Sequence, residues 1–346
     1  MQARLFPLVI VVCAACRPGL LVGGASSDAI APAPENEAGT SPLPDTSSPP
    51  VSDGPVVIPP KKDTSPPKPD TAPPKTSWSL GQVPFRANSS WNTPIPAGAT
   101  YTKLPWPSSA QGGVNWDQYS PGLYVSKPTD PLVQVNIPAG WGYPAGNIAV
   151  HLAAGVSGAV GGDGEILIVD GTTVHNFWQF ERTGTNSGTA SSYGRADVLK
   201  DTGWGSKSPF LSAGITASGS SMLAGLLVQA ETDAGEINHA LQLVLDYDLQ
   251  KPGFTGEAIA GDGSNSNGVS KEGERLAIPP SVSMPAGFSP LGQKVFRALQ
   301  KYGAFNIDIA GGISILRSQA NAYNAATINS LRPDMNTMLK LLQRVN

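Results

Sequence analysis

The feature that most constrains the fold of this chain is a proline-rich segment that separates a short apolar start from everything after it. Residues 25–76 hold fourteen of the 33 prolines, mixed with Ser, Thr, Asp and Lys. Such a segment cannot bury enough apolar surface to offset the entropy of ordering its backbone, and its proline runs favour extended polyproline II. We therefore predict a disordered linker over residues 17–77 and a single globular domain over residues 78–346.

The first sixteen residues have the pattern of an export leader. Arg4 gives a positive start, and the apolar run that follows ends in Cys-Ala-Ala-Cys at residues 13–16. This run is too short to span a bilayer as a mature helix. We predict a signal or lipoprotein leader over residues 1–16, with Cys16 as the lipidated residue. Because Cys13 stands where lipoproteins usually have Leu, ordinary signal-peptidase cleavage is the alternative; both predict export, either to the outer membrane or cell surface, or as a secreted protein.

Charge and cysteine content narrow the partners of the domain. Both cysteines lie in the leader, so the domain must be held together by its core without disulfides. The net charge is −3, only 14% of residues are charged, and no basic stripe occurs, which argues against nucleic-acid binding. A glycine-rich domain with few charges, and with Trp and Tyr, fits a polysaccharide ligand. We expect a monomer that contacts a membrane only through its N-terminal lipid.

Alternating apolar residues and recurring Gly- and Pro-rich turns predict the fold class. A Gly-Thr-Thr turn at residues 171–173 joins two of the alternating runs into a hairpin. Short strands with such turns favour a mainly β, sandwich-like or jelly-roll-like single domain with a few short helices. Strands are predicted over residues 133–137, 147–152, 165–170, 174–181 and 236–246.

Few helices are predicted. The clearest covers residues 291–302, because Ser289 suits the N-cap, Pro290 the first turn and Gly303 the C-terminal cap. Two others are predicted over residues 221–228 and 328–345.

The predicted hairpin carries the residues most typical of a sugar-binding cleft. Strand alternation places His175, Phe177, Gln179 and Glu181 on one face. An aromatic ring can stack on a sugar, while amides and carboxylates bind its hydroxyl groups. Asp163, Glu165 and Asp170 lie on or near the partner strand. Two carboxylates in one cleft can act as acid and base, or as acid and nucleophile. The alternative is a solvated sheet face whose aromatic residues belong to the core.

The predicted strand at 236–246 carries a second group of candidates. Alternation places Glu236 and Asn238 together, whereas His239 falls with Ile237 and Leu241 on the apolar side. A histidine in that position is typically structural, with both ring nitrogens hydrogen-bonded. The functional alternative is a base or ligand at the bottom of a cleft.

Metal chemistry finds little support in the sequence. The three histidines, His151, His175 and His239, do not stand at metal-ligand spacing, so no metal or cofactor is predicted. The loop at 262–268 is similar to a calcium-binding loop, but its glycine comes one place late and Gly273 stands where the terminal Glu would be. A structural calcium ion of another kind stays open as an alternative.

Several short motifs follow one another in an order that is not expected by chance. They are Trp91-Asn92-Thr93-Pro94-Ile95-Pro96, Gly162-Asp163-Gly164 with Ile168-Val169-Asp170, Phe177-Trp178, Ala224-Gly225-Leu226, the Gly-Glu-Ile-Asn-His-Ala-Leu run at 235–241, and residues 298–304 with Asp308. In these motifs residues 83–310 resemble a widespread group of secreted bacterial proteins, most of them without an assigned activity. The resemblance implies shared positions at Asp163, Asp170, Trp178, Glu236 and His239.

The chain departs from this group at three places. Relatives tend to have His where this chain has Glu165, and Trp-Glu where it has His175-Asn176; the segment 257–262 replaces a later loop that contains His. If the group uses these positions for chemistry, the resemblance implies a rearranged site in this chain.

Taken together, these patterns predict an extracellular polysaccharide-degrading enzyme. The candidate catalytic residues are Asp163, Glu165, Asp170, Glu181, Glu236 and His239, and the candidate substrate-binding residues are His175, Phe177, Trp178, Gln179 and Asn238. A glycoside hydrolase with two carboxylates is favoured, because the domain is poor in the Arg and Lys that a polyanion would require.

Two alternatives stay open. A polysaccharide lyase would use His239, His175 or a tyrosine as its base, and Arg182 or Arg195 to neutralise a uronate. A non-catalytic carbohydrate-binding module or structural surface lipoprotein would need no carboxylate pair.

Overall fold

The computed structural model describes residues 77–138 and 143–346, in which several central strands are buried on both faces. The predicted leader, the predicted lipidation site Cys16 and the predicted linker, apart from Ser77, lie outside these residues. The described residues belong to one compact unit. No helix among them is long and apolar enough to cross a membrane.

Nineteen strands and three α-helices occur in the described residues. The first strands are β1 (Tyr101–Lys103), β2 (Gly112–Asn115), β3 (Gly122–Val125), β4 (Leu132–Ile137), β5 (Gly146–His151), β6 (Ile166–Asp170), β7 (Thr173–Trp178), β8 (Glu181–Gly184), β9 (Ser187–Thr189) and β10 (Ser192–Asp197). The remainder are β11 (Ser206–Lys207), β12 (Phe210–Leu211), β13 (Leu241–Asp246), β14 (Gln250–Phe254), β15 (Ser270–Glu272), β16 (Arg275–Ala277), β17 (Ala304–Ala310), β18 (Ser314–Arg317) and β19 (Gln343–Val345). The helices are α1 (Gln229–Ala234), α2 (Pro290–Lys301) and α3 (Ala325–Leu341), with a 3-10 turn at Tyr247–Leu249. The prediction of a mainly β single domain with few helices is confirmed.

A seven-stranded mixed sheet, in the order β1-β19-β16-β17-β13-β18-β2, forms the centre of the structure. Strand β13 lies between β17, to which it is parallel, and β18, to which it is antiparallel. Leu243 and Leu245 of β13 pack against α2 and α3 on one face. Val244 points to the other face, where the second sheet packs. The strand is therefore buried on both sides.

The second sheet has the order β10-β7-β6-β3 and contains the predicted hairpin. Its strands β6 and β7 are antiparallel and joined at Gly171, which has φ +63°, a conformation that favours glycine. Leu167 and Val169 face the seven-stranded sheet. Ile166 and Ile168 face a third sheet, β5-β4-β9-β8. The three sheets thus stack face to face, with the hairpin sheet in the middle.

The helices differ from the predictions in two places. Helix α2 begins after the N-cap Ser289, whose side chain accepts a hydrogen bond from the Gly292 N–H, as predicted. The predicted helix at 221–228 is wrong; this segment forms turns. Gly225 in it has φ +75°, and a Cβ there would lie 2.6 Å from the Trp91 ring, so the backbone is held out of helical geometry.

The ends of two predicted elements also shift. The strand predicted over 236–246 begins only at Leu241, because the Asn238 side chain donates to the Glu236 carbonyl and closes a local turn. The helix predicted over 328–345 is α3, after which the chain forms β19.

Candidate functional site

A cluster of charged side chains lies where the seven-stranded sheet meets the start of β6. Arg317 is the last residue of β18, and Asp308 lies on β17, on the other side of β13. The pairing of β13 with β17 is irregular there, so that Asp308 stands opposite Val244 on the face that meets the hairpin sheet. A β-bulge re-aims side chains in this way. Glu165 directly precedes β6 and reaches the same place.

Arg317 holds two of the carboxylates. Its Nη2 lies 3.3 Å from Oε1 of Glu165, and its Nη1 lies 3.3 Å from Oδ2 of Asp308. The side chains of Arg317 and Glu165 are 7% and 4% exposed, and that of Asp308 is 16% exposed. These three groups therefore form a buried ion cluster that joins two sheets.

A second pair of carboxyl groups adjoins this cluster. Glu272, the last residue of β15, is fully buried, and its Oε1 accepts a hydrogen bond of 3.2 Å from the Asp262 N–H. Asp262 lies on an exposed loop before β15. The charge of Asp308 acts on Asp262, and that of Glu272 acts on Asp308. Both carboxyl groups thus belong to the same electrostatic environment as Asp308.

The pKa values of three carboxyl groups in and beside the cluster are raised. Burial raises the pKa of Glu165 to about 7; Arg317 opposes this rise, and Asp163 and Asp308 add to it. Burial also raises the pKa of Asp308 to about 6, against the lowering effect of Arg317. Asp262 is exposed as a residue, but partial desolvation of its carboxyl group, the charge of Asp308 and a hydrogen bond with Glu272 raise its pKa. The cluster therefore holds both protonated and ionised carboxyl groups near neutral pH.

Asp163 is held at the edge of the cluster by its loop. The indole Nε1–H of Trp178 donates to Oδ1 of Asp163 at 3.3 Å, and the Gln179 N–H donates to its backbone carbonyl at 2.8 Å. Gly161 and Gly164 have φ +114° and +46°, and Gln179 itself has φ +54°. A non-glycine residue in this region is strained, and such strain persists only where the surroundings impose it. The backbone of this loop is therefore held in place, and the Trp178 indole orients the Asp163 carboxyl group.

Aromatic side chains border the cluster on both sides. Trp178 is half-buried beside Asp163, and Tyr119, 39% exposed, lies against Gly161 of the same loop. Phe254, 45% exposed, stands opposite Glu272 in the pairing of β14 with β15. Exposed rings next to carboxyl groups suit the apolar face of a sugar.

The face of β7 that the sequence assigned to a sugar-binding cleft is an interior surface. Phe177 is fully buried and His175 nearly so, because the third sheet covers this face. The Nδ1 of His175 lies 2.8 Å from the Tyr193 hydroxyl, and burial lowers the pKa of His175 to about 4. Gln179 is exposed, and its side chain donates to the Gly162 carbonyl. His175 and Phe177 are therefore core residues rather than cleft residues.

Four other predicted residues lie in different surroundings. Asp170 accepts from His151, with its Oδ2 at 2.9 Å from both Nδ1 and the backbone N. Glu236 forms a bidentate, half-exposed ion pair with Arg297, and Glu181 is exposed at the start of β8. The N–H of Asn238 donates to Oε1 of Glu231. Of the predicted catalytic residues, the structure brings Asp163 and Glu165 together.

His239 forms a second buried charged group. Its Nε2 lies 2.8 Å from Oε2 of Glu231, and its Nδ1 lies 2.8 Å from the Ala240 carbonyl oxygen. Burial opposes the charged form of His239, but Glu231 outweighs it and the pKa of His239 is raised. The pKa of Glu231 is lowered, since His239 and the Asn238 N–H outweigh the effect of burial. Because both partners of His239 are acceptors, this arrangement fits an imidazolium and a carboxylate.

The sequence reasoning missed Glu272 and Arg317 altogether, and gave Asp262 and Asp308 no catalytic role. These residues come from three separate strands and a loop, and they lie 97 to 152 positions after Glu165 in the chain. A lone Arg at the end of an apolar strand, as in Ser314–Arg317, was the one local sign of a buried ion pair.

Neither a scan of the chain against protein-family models nor searches of curated proteins and of solved structures found a match. The resemblance to secreted bacterial proteins therefore stays a prediction. Among the residues that the structure describes, no group of three or more His, Cys, Asp or Glu side chains is arranged to hold a metal ion.

Proposed function

We propose that the protein is an extracellular polysaccharide-degrading enzyme, most specifically a glycoside hydrolase, and that its chemistry takes place at the carboxyl cluster. One observation carries the proposal: Asp163 and the exposed Asp262 border the buried ion cluster of Arg317, Glu165 and Asp308, and the pKa of Asp262 is raised. Enzymes that cleave glycosidic bonds need one carboxyl group that is protonated and another that is ionised. Perturbed titration in a cleft is typical of functional sites.

The two roles fall to different carboxyl groups. Asp262 is the candidate general acid, because its pKa is raised and it lies on an exposed loop. It would donate its proton to the glycosidic oxygen as the bond to the sugar carbon breaks. Asp163, oriented by the Trp178 indole, would supply the carboxylate that attacks that carbon or removes a proton from the attacking water.

Arg317, Glu165 and Asp308 would act on these two groups through charge. Asp308 raises the pKa of Asp262 and thereby favours its protonated form. Arg317 keeps Glu165 and Asp308 at the interface of the two sheets. The lyase alternative fits less well, since a uronate carboxylate would meet a site that already has an excess of acidic groups.

The test is incubation of the purified protein with a panel of neutral and uronic polysaccharides. New reducing ends and the ultraviolet absorbance of unsaturated products are followed together. We expect reducing ends without the absorbance, and their loss in Asp163→Asn and Asp262→Asn. Glu236→Gln is the matched control, because it removes a carboxylate from the half-exposed pair with Arg297.

If reducing ends and ultraviolet absorbance increase together, the enzyme is a lyase and the proposed hydrolase is wrong. If neither increases with any polysaccharide of the panel, the proposal of an enzyme is wrong and a binding module remains.

A further inference from the structure

The third sheet, β5-β4-β9-β8, has an outward face whose side chains are exposed or half-buried in the part of the chain that the structure describes. Along β4, Val133 and Val135 are buried in the core, whereas Gln134 and Asn136 point outward and are exposed. Strand pairing extends this alternation to the neighbouring strands and forms two rows of outward side chains, which we term the polar face. The first row is Asn147, Asn136, Thr189 and Glu181, and the second is Ala149, Gln134, Ser187 and Thr183.

The polar face is almost without charge. Glu181, at one corner, is the one ionisable residue of the two rows. Arg182 follows it but points to the other face, where its guanidinium donates to the carbonyl oxygens of Leu152 and Ala153. A highly charged partner would meet no counter-charges on the polar face, so the charge pattern favours a neutral partner.

The polar face also has hydrogen-bonding groups that the protein itself does not use. Nδ2 of Asn136 donates to Oδ1 of Asn147 at 3.0 Å, and the Thr183 hydroxyl donates to that of Ser187 at 3.1 Å. The Gln134 amide lies beside both pairs, is exposed, and has no hydrogen-bond partner among the described residues. Amides and hydroxyls both donate and accept, and a sugar hydroxyl has the same two capacities.

The dimensions of the polar face suit a linear chain. Neighbouring strands lie about 4.8 Å apart, so each row is roughly 14 Å long across four strands, and the two rows are roughly 7 Å apart. A stable protein partner would bury about 800 Å² on each side, several times this area. An extended polymer that covers one or two rows fits this area better than a folded protein does.

The first row ends next to the candidate site. Glu181 begins β8, and the N–H of the preceding Phe180 donates to the Gly164 carbonyl oxygen at 3.0 Å. One residue earlier, the Gln179 N–H donates to the carbonyl oxygen of Asp163 at 2.8 Å. A chain that lies along this row therefore extends toward the loop that bears Asp163.

We propose that the polar face binds a neutral polysaccharide chain and holds it for the candidate site at Asp163. The proposal rests on the proposed function for that site, and on the polar face itself for the binding. The amides and hydroxyls of both rows hold the sugar hydroxyls by hydrogen bonds. A polymer of uronates is disfavoured, because it would bring carboxylates to Glu181 and find no cation in either row.

Affinity electrophoresis of the full chain in native gels tests this proposal. The gels contain hydroxyethyl cellulose, galactomannan or arabinoxylan as neutral probes, and polygalacturonate as the charged probe. We expect at least one neutral probe to retard the protein, and polygalacturonate to retard it less. The double variant Gln134→Ala, Asn136→Ala should raise the Kd for that neutral probe about ten-fold or more, because each lost hydrogen bond corresponds to about five-fold.

The double variant Asn329→Ala, Ser330→Ala is the matched control and should bind as the wild type does. Both of its residues are exposed on α3, which packs on the far face of the seven-stranded sheet. Gln134→Ala alone keeps the test valid if the first double variant does not fold, since it breaks no hydrogen bond of a described side chain. Its Kd should rise a few-fold.

Three results would overturn the proposal: no retardation by any neutral probe, equally strong retardation by polygalacturonate, or an unchanged Kd in the variants of Gln134 and Asn136. Cleavage of a neutral polysaccharide, with the same Kd in these variants as in the wild type, overturns only the role of the polar face. Binding that requires Gln134 and Asn136, without cleavage of any polysaccharide, overturns only the proposed hydrolase.

Discussion

The molecule contains two buried groups of charged side chains that obey opposite rules. In the Glu231–His239 pair, one cation faces one anion at 2.8 Å, and each partner shifts the other toward its charged form. In the carboxyl cluster, Arg317 faces an excess of acids, and the pKa values of Glu165, Asp308 and Asp262 rise. The pair is balanced, and the cluster is not.

This difference separates a structural group from the group that we propose to be functional. A balanced buried pair fixes the segment before β13 against α1, and nothing in it is left to react. An unbalanced cluster is tolerated at a cost in stability, and proteins retain such costs at sites where titratable groups are used. Burial alone does not distinguish the two, since His239 and Glu165 are both buried.

The largest effect is expected from removing the Asp163 carboxylate. Asp163→Asn should lower the rate of polysaccharide cleavage by about 10²–10⁴, the range associated with an acid or base group. Because Asp163 is partly exposed, the free energy of unfolding should change by less than about 1 kcal/mol. Initial rates and urea denaturation of the same preparation measure both. A variant that loses stability and activity in parallel would make Asp163 structural.

The pair should respond in the opposite way. Glu231→Gln leaves His239 without its counter-charge in a buried site, which typically costs about 3–5 kcal/mol of stability. Glu236→Gln breaks a half-exposed pair with Arg297 and should cost less than about 1 kcal/mol. Urea denaturation at neutral pH compares the two. Equal losses would show that burial of Glu231 adds nothing to its contribution.

Stability should depend on pH in opposite directions for the carboxyl cluster and the Glu231–His239 pair when the pH rises through the acidic range. The folded pKa of Glu165 lies above its ordinary value, near 7 against 4.5, so folding loses stability as the pH rises from 4.5 to about 7. The lowered pKa of Glu231 and the raised pKa of His239 make the pair contribute fully between 4.5 and 6.5. The stability that the pair contributes decreases when the pH falls below 4.5, as Glu231 takes up a proton, and when the pH rises above 6.5, as His239 loses one.

The wild type should lose up to about 3 kcal/mol of stability through Glu165 between about pH 5 and about pH 8, because this free energy corresponds to the shift of the Glu165 pKa. Glu165→Gln should not show this loss. Denaturation midpoints of the wild type and Glu165→Gln at these two pH values measure the difference. If both proteins lose stability equally over this range, Glu165 does not carry the shift.

The smallest effect is expected from the residue that orients Asp163. Trp178→Phe keeps an aromatic ring but removes the N–H that donates to Oδ1 of Asp163. The loss of one such hydrogen bond corresponds to about 1 kcal/mol, or a few-fold in rate. Steady-state kinetics should show the change in kcat rather than in KM, because the ring remains for binding. A change confined to KM would make Trp178 a binding residue instead.

The sequence predicted the local features of the fold and only part of the candidate site. Asp163 and Glu165 could be found because they flank a glycine turn directly before an apolar strand. Alternation separates the residues of β7 into two faces, but it does not show which face meets solvent. Both faces of this strand carry apolar residues, because both are covered by other sheets. For that reason alternation predicts a cleft face for His175 and Phe177, which the third sheet covers instead.

The rest of the site depends on pairing between distant segments. Asp308 and Arg317 meet because β17 and β18 flank β13, and Asp308 reaches the required face through an irregularity in that pairing. Glu272 and Asp262 join them from β15 and its preceding loop. Neither the neighbour of a strand nor its register can be read from a single strand's own residues.

The order of strands in the seven-stranded sheet determines which of its pairings can form only late in synthesis. Its edge strands β1 and β2 come first in the chain, yet their partners β19 and β18 come more than 190 residues later. Pairing across such separations is slow, and strands that wait for a late partner expose unpaired edges meanwhile. As the chain is made, β1 and β2 therefore pass most of that time as single strands. A chaperone that shields residues 101–115 during synthesis would consequently raise the yield of folded protein.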